Sequence, residues 1–266
     1  DDIEKFGIWP ETWEWVYEKR WLEQFITAVL ASPHIHTATY REFHAGARSR
    51  GIVYLPTTSY IEMNEWTLPA AAAQTYAALV HEHKNAQRFA DTKAFLRGGI
   101  WRNFLTRYPE SNWMHKRMLA LSERLARVAD ARRTPAMTAG LYRAQANDAY
   151  WHGLFGGLYL PHLRRAVYGN LVGLEAALDA VAPRAVYERL DLDCDGADEL
   201  FMRSAQLQAV TRDDGLAAVH ELDSYPLVHN FCDTLRRSRE HYYHRIERAE
   251  FRAAAGGSGI ASAHDR

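Results

Sequence analysis

The stretch Ala144-Gln-Ala-Asn-Asp-Ala-Tyr-Trp-His-Gly-Leu-Phe-Gly-Gly-Leu-Tyr-Leu-Pro-His-Leu-Arg-Arg165 mixes polar, aromatic and glycine residues where packing alone would ask for aliphatics. A helix running on from Ala144 would put Gln145, Asp148, Trp151 and His152 at spacings of three and four, and so on one face. Hydrogen-bonding groups beside an indole suit a hydroxylated ring. The plainer alternative is a polar cluster stapling two helices. Gly153, Gly156 and Gly157 permit a sharp turn and close backbone approach before Pro161 opens the next helix.

On the C-terminal side, Leu163, Val167, Leu171, Leu174 and Leu178 predict a helix from Pro161 to about Ala180, ending before Ala182-Pro183. Val186, Glu188, Leu190 and Leu192 then alternate with polar neighbours, and Asp213-Asp214-Gly215 separates two alternating runs as a hairpin turn. A β region is expected from residue 183, with too few strands to close a sandwich and hence an exposed edge. On the N-terminal side, helices are predicted over Leu68 to Leu79, Arg88 to Leu96 and Ser111 to Val128. The last carries Met114, Met118, Leu121, Leu125 and Val128 as one apolar stripe. Further back, Pro10 introduces a predicted helix from Glu11 to Ala31 with Trp15, Leu22, Phe25, Ile26 and Val29 at helical spacing. A short strand near His34 to Thr39 and a helix near Tyr40 to Ala47 follow, the alternation of βα units.

The chain opens Asp1-Asp2-Ile3-Glu4-Lys5-Phe6-Gly7-Ile8-Trp9-Pro10. Read as the end of a strand, Asp2 and Glu4 point to one side. Paired carboxylates can split their pKa values into acid and base roles, although an acidic pair near a chain end is ordinarily just solvated.

Net charge is −1 from 32 basic and 33 acidic side chains, so no field favours nucleic acid or an anionic membrane. Hydrophobic residues make up 47% of the chain, enough for a real core. Aromatics reach 12%, which suits stacking on sugar rings and core packing alike. Cys194 and Cys232 are too few for a disulfide framework and match no zinc spacing, and a reducing cytoplasm is the natural expectation. No apolar run reaches the ~18 residues of a membrane span. The tail Ala253-Ala-Ala-Gly-Gly-Ser-Gly-Ile-Ala-Ser has a linker's composition.

Three stretches carry metal-like patterns. Asp191-Leu-Asp-Cys-Asp-Gly196 imitates a calcium loop, but its twelfth place is Met202, where a bidentate Glu is required. His81-Glu82-His83 and His241-Tyr-Tyr-His244 lack the His-Glu-x-x-His spacing of a zinc protease. No metal and no cofactor are expected.

Four blocks together carry a resemblance. They are Asp2 to Trp9; Gly51-Ile-Val-Tyr-Leu-Pro with Ser59-Tyr-Ile-Glu-Met-Asn-Glu-Trp66; Gly98-Gly-Ile-Trp-Arg-Asn-Phe with Tyr108-Pro-Glu-Ser-Asn-Trp-Met-His-Lys-Arg-Met118; and the 144–165 stretch. In this order, over about residues 1 to 246, the chain resembles glycoside hydrolase family 57, in its 4-alpha-glucanotransferase and alpha-amylase branch. The resemblance implies a seven-stranded (β/α) barrel, a helical segment and a β-sandwich, and cleavage or transfer of alpha-1,4-glucans with retention. It implies Asp2 as acid/base, with Ile3 where the family has glycine. Glu4, Trp9, Asp148 and Trp151 match substrate-contacting positions, and His152 joins them on the local reading. Glu11 and Ala146 also depart from the family pattern.

Retention needs two carboxyl groups about 5 to 5.5 Å apart. The family's nucleophilic glutamate lies upstream of the acid/base and is not in this chain, so the fragment by itself is expected to be inactive. The expected fold class is therefore α/β, mostly helical here: the closing part of the barrel (1–66), a central helical domain (67–182), the opening strands of the sandwich (183–250) and a flexible tail (251–266). The expected partner is an alpha-glucan or maltooligosaccharide, with no nucleic acid and no membrane, and a homodimer left open. The alternatives to a glucanotransferase are an alpha-amylase and a non-catalytic carbohydrate-binding module.

Overall fold

Three prolines set the main helices. Pro109, Pro135 and Pro161 each stand in the first turn of a helix, where the missing N–H costs nothing and the fixed φ is already helical. In the structure, a computed structural model, residues 11–55, 57, 59–152, 156–216, 218–240 and 243 are described. Asp2, Glu4 and Trp9 lie outside the described residues, as do the tail and His241 and His244. The chain divides into two units, Asp1–Pro56 and Thr57–Arg266.

In the first unit a π-helical turn, Glu14–Glu18, is followed by α1 (Trp21–Ala31) and α2 (Tyr40–Gly46). The single helix expected from Glu11 to Ala31 is thus broken. Arg20 sits at φ 55, left-handed backbone that no α-helix contains, and the Gln24 side chain takes the Lys19 carbonyl at 3.1 Å. Trp15, Phe25 and Ile26 are about half exposed rather than packed. Residues 34–39 form no strand. Thr39 instead caps α2, its Oγ1 accepting from Glu42 N–H at 3.2 Å while its own N–H donates to Glu42 Oε2 at 2.7 Å.

In the second unit come α3 (Ile61–Trp66), α4 (Ala70–Asn85), the single turn α5 (Phe89–Thr92), α6 (Trp101–Arg107), α7 (Pro109–Arg127), α8 (Pro135–Ala144) and α9 (Pro161–Val181). Five strands follow: β1 (Tyr187–Leu190), β2 (Glu199–Arg203), β3 (Leu207–Arg212), β4 (Val219–Ser224) and β5 (His229–Asn230). They pair in sequence order as an antiparallel meander, with a bulge between Val210 and Thr211. The Asp213-Asp214-Gly215 turn joins β3 to β4, with Gly215 at φ 78. The helical region and the sheet match the coarse expectation of a mostly helical chain with a few strands.

The core is the expected stripe of α7 against α9: Met114, Met118, Leu121, Leu125 and Val128 face Val167, Leu171, Leu174 and Leu178. Burial of each such side chain contributes about 1.5–3 kcal/mol. Within the stripe, one turn after Trp113, stands Arg117, 2% exposed. Its guanidinium makes a two-pronged contact with Glu175 of α9 (2.8 and 2.7 Å), and reaches Glu221 (3.0 Å) and Asp223 (3.3 Å) of β4. Gln208 of β3 donates to Glu175 at 2.9 Å and to Asp223 at 3.2 Å, and Arg184 donates to Glu175 at 2.6 Å. The Trp113 indole N–H donates to Glu221. The inner face of the sheet therefore carries buried polar groups beside Phe201 and Val210, and the helix arginine Arg117 is the group that joins most of them.

The charges separate by environment. Burial alone would raise the Glu175 carboxyl, but Arg117, helped by Arg184 and Arg124, outweighs it and holds the group at about 2. For Asp223, burial and the adjoining Glu221 act together and push the carboxyl far up, so it is protonated at neutral pH.

Glu175→Gln is expected to cost about 3–5 kcal/mol in urea unfolding at pH 7, since it leaves Arg117 and Arg184 short of a buried anion. Asp223→Asn, already matched to a neutral group, should change stability by less than about 1 kcal/mol. Because the folded pKa of Glu175 is depressed, its stabilisation is complete above about 4.5 and fades as pH falls toward 2. The gap between wild type and Glu175→Gln should shrink over that window. Equal losses in the two variants would contradict this charge assignment.

Candidate functional site

The 144–165 stretch does not continue as a helix. The α8 helix ends at Ala144, and the Ala144 carbonyl, which a further turn would give to Asp148 N–H, accepts from the Tyr150 hydroxyl at 2.6 Å. Asn147–Ala149 is one 3-10 turn, and the Tyr150 carbonyl is taken by Ser111 Oγ. Gln145, Asp148, Trp151 and His152 therefore do not share a helix face. The chain doubles back so that Leu158 N–H donates to the Trp151 carbonyl at 2.7 Å. Only glycine fits at Gly157: its φ is +49, and a Cβ there would stand 2.0 Å from the Trp151 carbonyl oxygen and 2.9 Å from that of Asp148.

This fold-back turns Trp151 and His152 to different surroundings. The half-buried Trp151 ring lies 5.2 Å from Trp66 and edge-on to Tyr60 at 6.2 Å, forming an aromatic surface whose outer member, Tyr60, is 48% exposed. Trp151 Nε1–H has no acceptor among the described residues. Asp148 is exposed on the adjoining turn. His152 is fully buried beneath these rings, packed on Trp66, Phe104, Tyr108 and Tyr159 at 5.2–5.6 Å between centroids.

Under the aromatic surface lies one carboxylate, Glu240, 1% exposed. The Tyr108 hydroxyl donates to its Oε1 at 2.6 Å and meets His152 Nε2 at 2.8 Å. With its proton committed to Glu240, the Tyr108 oxygen accepts from His152 Nε2–H. Burial, then the Glu240 charge, push the Tyr108 hydroxyl far above its ordinary range, so it stays a donor. Tyr159 also donates to Glu240 Oε1, and Arg107 donates to Oε2 at 2.7 Å. Arg107 further holds the carbonyls of Trp66 (2.6 Å) and Leu68 (2.5 Å), which fixes the end of α3. On the other side of α3, a Cβ on Gly99 would stand 2.0 Å from Thr67 Oγ1, so the Gly98-Gly99 pair lets the chain close on the helix that carries Trp66.

Of the residues expected at a site, Asp148, Trp151 and His152 thus fall on one fold-back, with His152 as its buried support. Tyr60, Trp66, Arg107, Tyr108, Tyr159 and Glu240 were not singled out from sequence. The first five lie in or beside quoted blocks rich in aromatics, whereas nothing in the local sequence marks Glu240.

Comparison with known proteins places these segments. Residues 1–56 match Glycosyl hydrolase family 57, residues 99–178 the middle domain and residues 191–266 the C-terminal domain of alpha-amylase/4-alpha-glucanotransferase. A 4-alpha-glucanotransferase of Thermococcus kodakarensis is 44% identical over the whole of this chain, and an alpha-amylase of Pyrococcus abyssi 42%. The chain spans 39% of the length of each. The crystal structure of 4-alpha-glucanotransferase from Thermococcus litoralis superposes with a TM-score of 0.69 at 40% identity, covering 93% of this chain and 38% of that one.

Tyr108→Phe removes the hydroxyl that joins His152 to Glu240, and should lower stability by about 1–3 kcal/mol by chemical denaturation. Tyr142→Phe, on a ring 67% exposed, is the control and should stay within about 0.5 kcal/mol. Indistinguishable effects would mean that the Glu240 network does not hold the site.

Proposed function

The chain belongs to glycosyl hydrolase family 57, and from that premise we propose that it forms part of a retaining enzyme acting on alpha-1,4-glucans, of the 4-alpha-glucanotransferase type. The observation that carries the reading is the Tyr60, Trp66 and Trp151 surface, with Asp148 exposed on the same fold-back that only Gly157 permits. Aromatic faces with a carboxylate at their rim suit glucose rings, whose C–H faces stack while their hydroxyls donate hydrogen bonds. Trp151 stacks and Asp148 accepts from sugar hydroxyls. His152 acts from beneath, through Tyr108 and Glu240, to hold the Trp151 turn.

Asp2 is the acid/base in this reading: it protonates the glycosidic oxygen, then as carboxylate activates the sugar hydroxyl or water that resolves the glycosyl-enzyme. Glu4 and Trp9 bind substrate beside it. The first unit belongs to the (β/α) barrel and the antiparallel sheet to the start of the β-sandwich. The two cysteines, both free, support a cytoplasmic setting. A second reading, alpha-amylase, differs only in water resolving the intermediate, and two of the relatives' names divide along that line.

The test is chromatographic analysis of maltooligosaccharide products from the complete gene product. Redistribution into longer and shorter chains is expected, falling by about 10²–10⁴ in Asp2→Asn. Trp151→Ala should raise KM about tenfold, some 1.4 kcal/mol of stacking, with a smaller change in kcat. Net release of short sugars would select the amylase. No turnover by either protein would leave the binding-module alternative.

A further inference from the structure

Between α3, α4, α5 and the segment that follows α5 lies a cavity of about 310 Å³, at the small end of the range for organic ligands. Asn64 and Tyr76, both buried, line it from α3 and α4, and Phe89 and Leu96 give it an apolar wall. Lys93 and Arg97 border it from the segment after α5, both of them exposed.

That segment is held at both ends. Thr92 Oγ1 donates to the Arg88 carbonyl at 2.8 Å and meets His83 Nδ1 at 3.0 Å, which ties the α5 turn to α4, and Lys93 N–H donates to the Phe89 carbonyl at 2.8 Å. At the other end Gly98 N–H donates to Asn64 Oδ1 at 3.0 Å, and a Cβ on Gly98 would stand 2.0 Å from the Asn64 carbonyl oxygen. Only glycine lets the residue after Arg97 come so close to α3.

The lining distinguishes an anion from a neutral sugar. Asn64 is already engaged on both sides: its Nδ2 donates to the Ser59 and Tyr60 carbonyls at 3.3 and 2.9 Å, and its Oδ1 accepts from Gly98. What remains is two cations with the hydroxyl side chains of Ser59 and Tyr76, and among the described lining residues no carboxylate. A neutral sugar needs acceptors for its hydroxyl protons, whereas an oxyanion needs donors. The surroundings agree in sign. Lys84 Nζ lies 5.2 Å from the centroid of the Phe89 ring, and residues 81–102 carry five Lys and Arg against two acids, Glu82 and Asp91.

We propose that this cavity binds a sugar monophosphate, with Lys93 and Arg97 on the phosphate oxygens and the sugar ring against Phe89 and Leu96. Inorganic phosphate would satisfy the cations but leave the apolar wall uncovered. The inference is independent of the glucan reading, because neither Trp66 nor Trp151 lines the cavity.

Calorimetric titration of the complete gene product with glucose 1-phosphate, and in parallel with inorganic phosphate and with glucose, tests it. One site with Kd below about 1 mM is expected for the sugar phosphate, with inorganic phosphate about tenfold weaker or more. Lys93→Gln and Arg97→Gln, each checked for unchanged circular dichroism, should weaken sugar-phosphate binding about tenfold, and Trp151→Ala should leave it unchanged. Affinity should fall as salt rises. Absence of heat with glucose 1-phosphate up to about 10 mM would overturn the proposal. So would binding that both cation variants retain, binding lost in Trp151→Ala, or equal affinity for inorganic phosphate or for glucose.

Discussion

One buried arginine sets the arrangement of the second unit. Arg117 lies on the face of α7 that otherwise carries Met114, Met118 and Leu121, and a charge there is tolerable only if anions meet it from the opposing layers. The anions are Glu175 from α9 and Glu221 from β4, and Asp223 of β4, protonated, adds a neutral acceptor. Because five donors in a rigid fork must be matched, the register of the sheet over the helices is fixed more tightly than apolar contact would fix it. A slip of β4 by one residue would turn Glu221 and Asp223 outward and leave the guanidinium bare.

From that constraint the remainder follows along the chain. With the sheet seated, the segment after β5 returns across the helices: Asp233 accepts from Arg164 at 2.7 Å, and Arg236 N–H donates to Glu110 at 3.0 Å. This path delivers Glu240 to Arg107, Tyr108 and Tyr159, more than 80 residues earlier in each case. Glu240 then holds the end of α3 through Arg107 and His152 through Tyr108. The Trp66 and Trp151 rings owe their relative placement to a carboxylate that touches neither. A rigid layer beneath an aromatic surface suits recognition of a stiff sugar ring, for which misplacement is costly.

Much of the helical layer was legible in the sequence. The stripes on α7 and α9, the proline start of α9, the β region after residue 183 and the Asp213-Asp214-Gly215 turn all follow from periodicity and turn chemistry. Reading failed where tertiary contacts override local preference. Helical spacing after Ala144 suggested a shared face, but Tyr150 takes the carbonyl that would have continued the helix. A short strand was expected near His34 to Thr39, but pairing edges cannot be read from one segment. Arg20 adopts left-handed backbone with no glycine to announce it. Neither the Arg117 cluster nor Glu240 had a local signal, since partners 58 to 133 residues apart leave no spacing to recognise. For the candidate site, Asp148, Trp151 and His152 were picked from one stretch, while the buried residues that hold them were visible only in three dimensions.

The most direct test of the central claim, a retaining alpha-glucan enzyme, is time-resolved proton NMR of the anomeric signals as the complete gene product acts on a maltooligosaccharide. The account predicts that linkages made by transfer are alpha-1,4, and that reducing ends freed by hydrolysis appear first as the alpha anomer and equilibrate later, as two successive displacements require. First appearance of the beta anomer would contradict it.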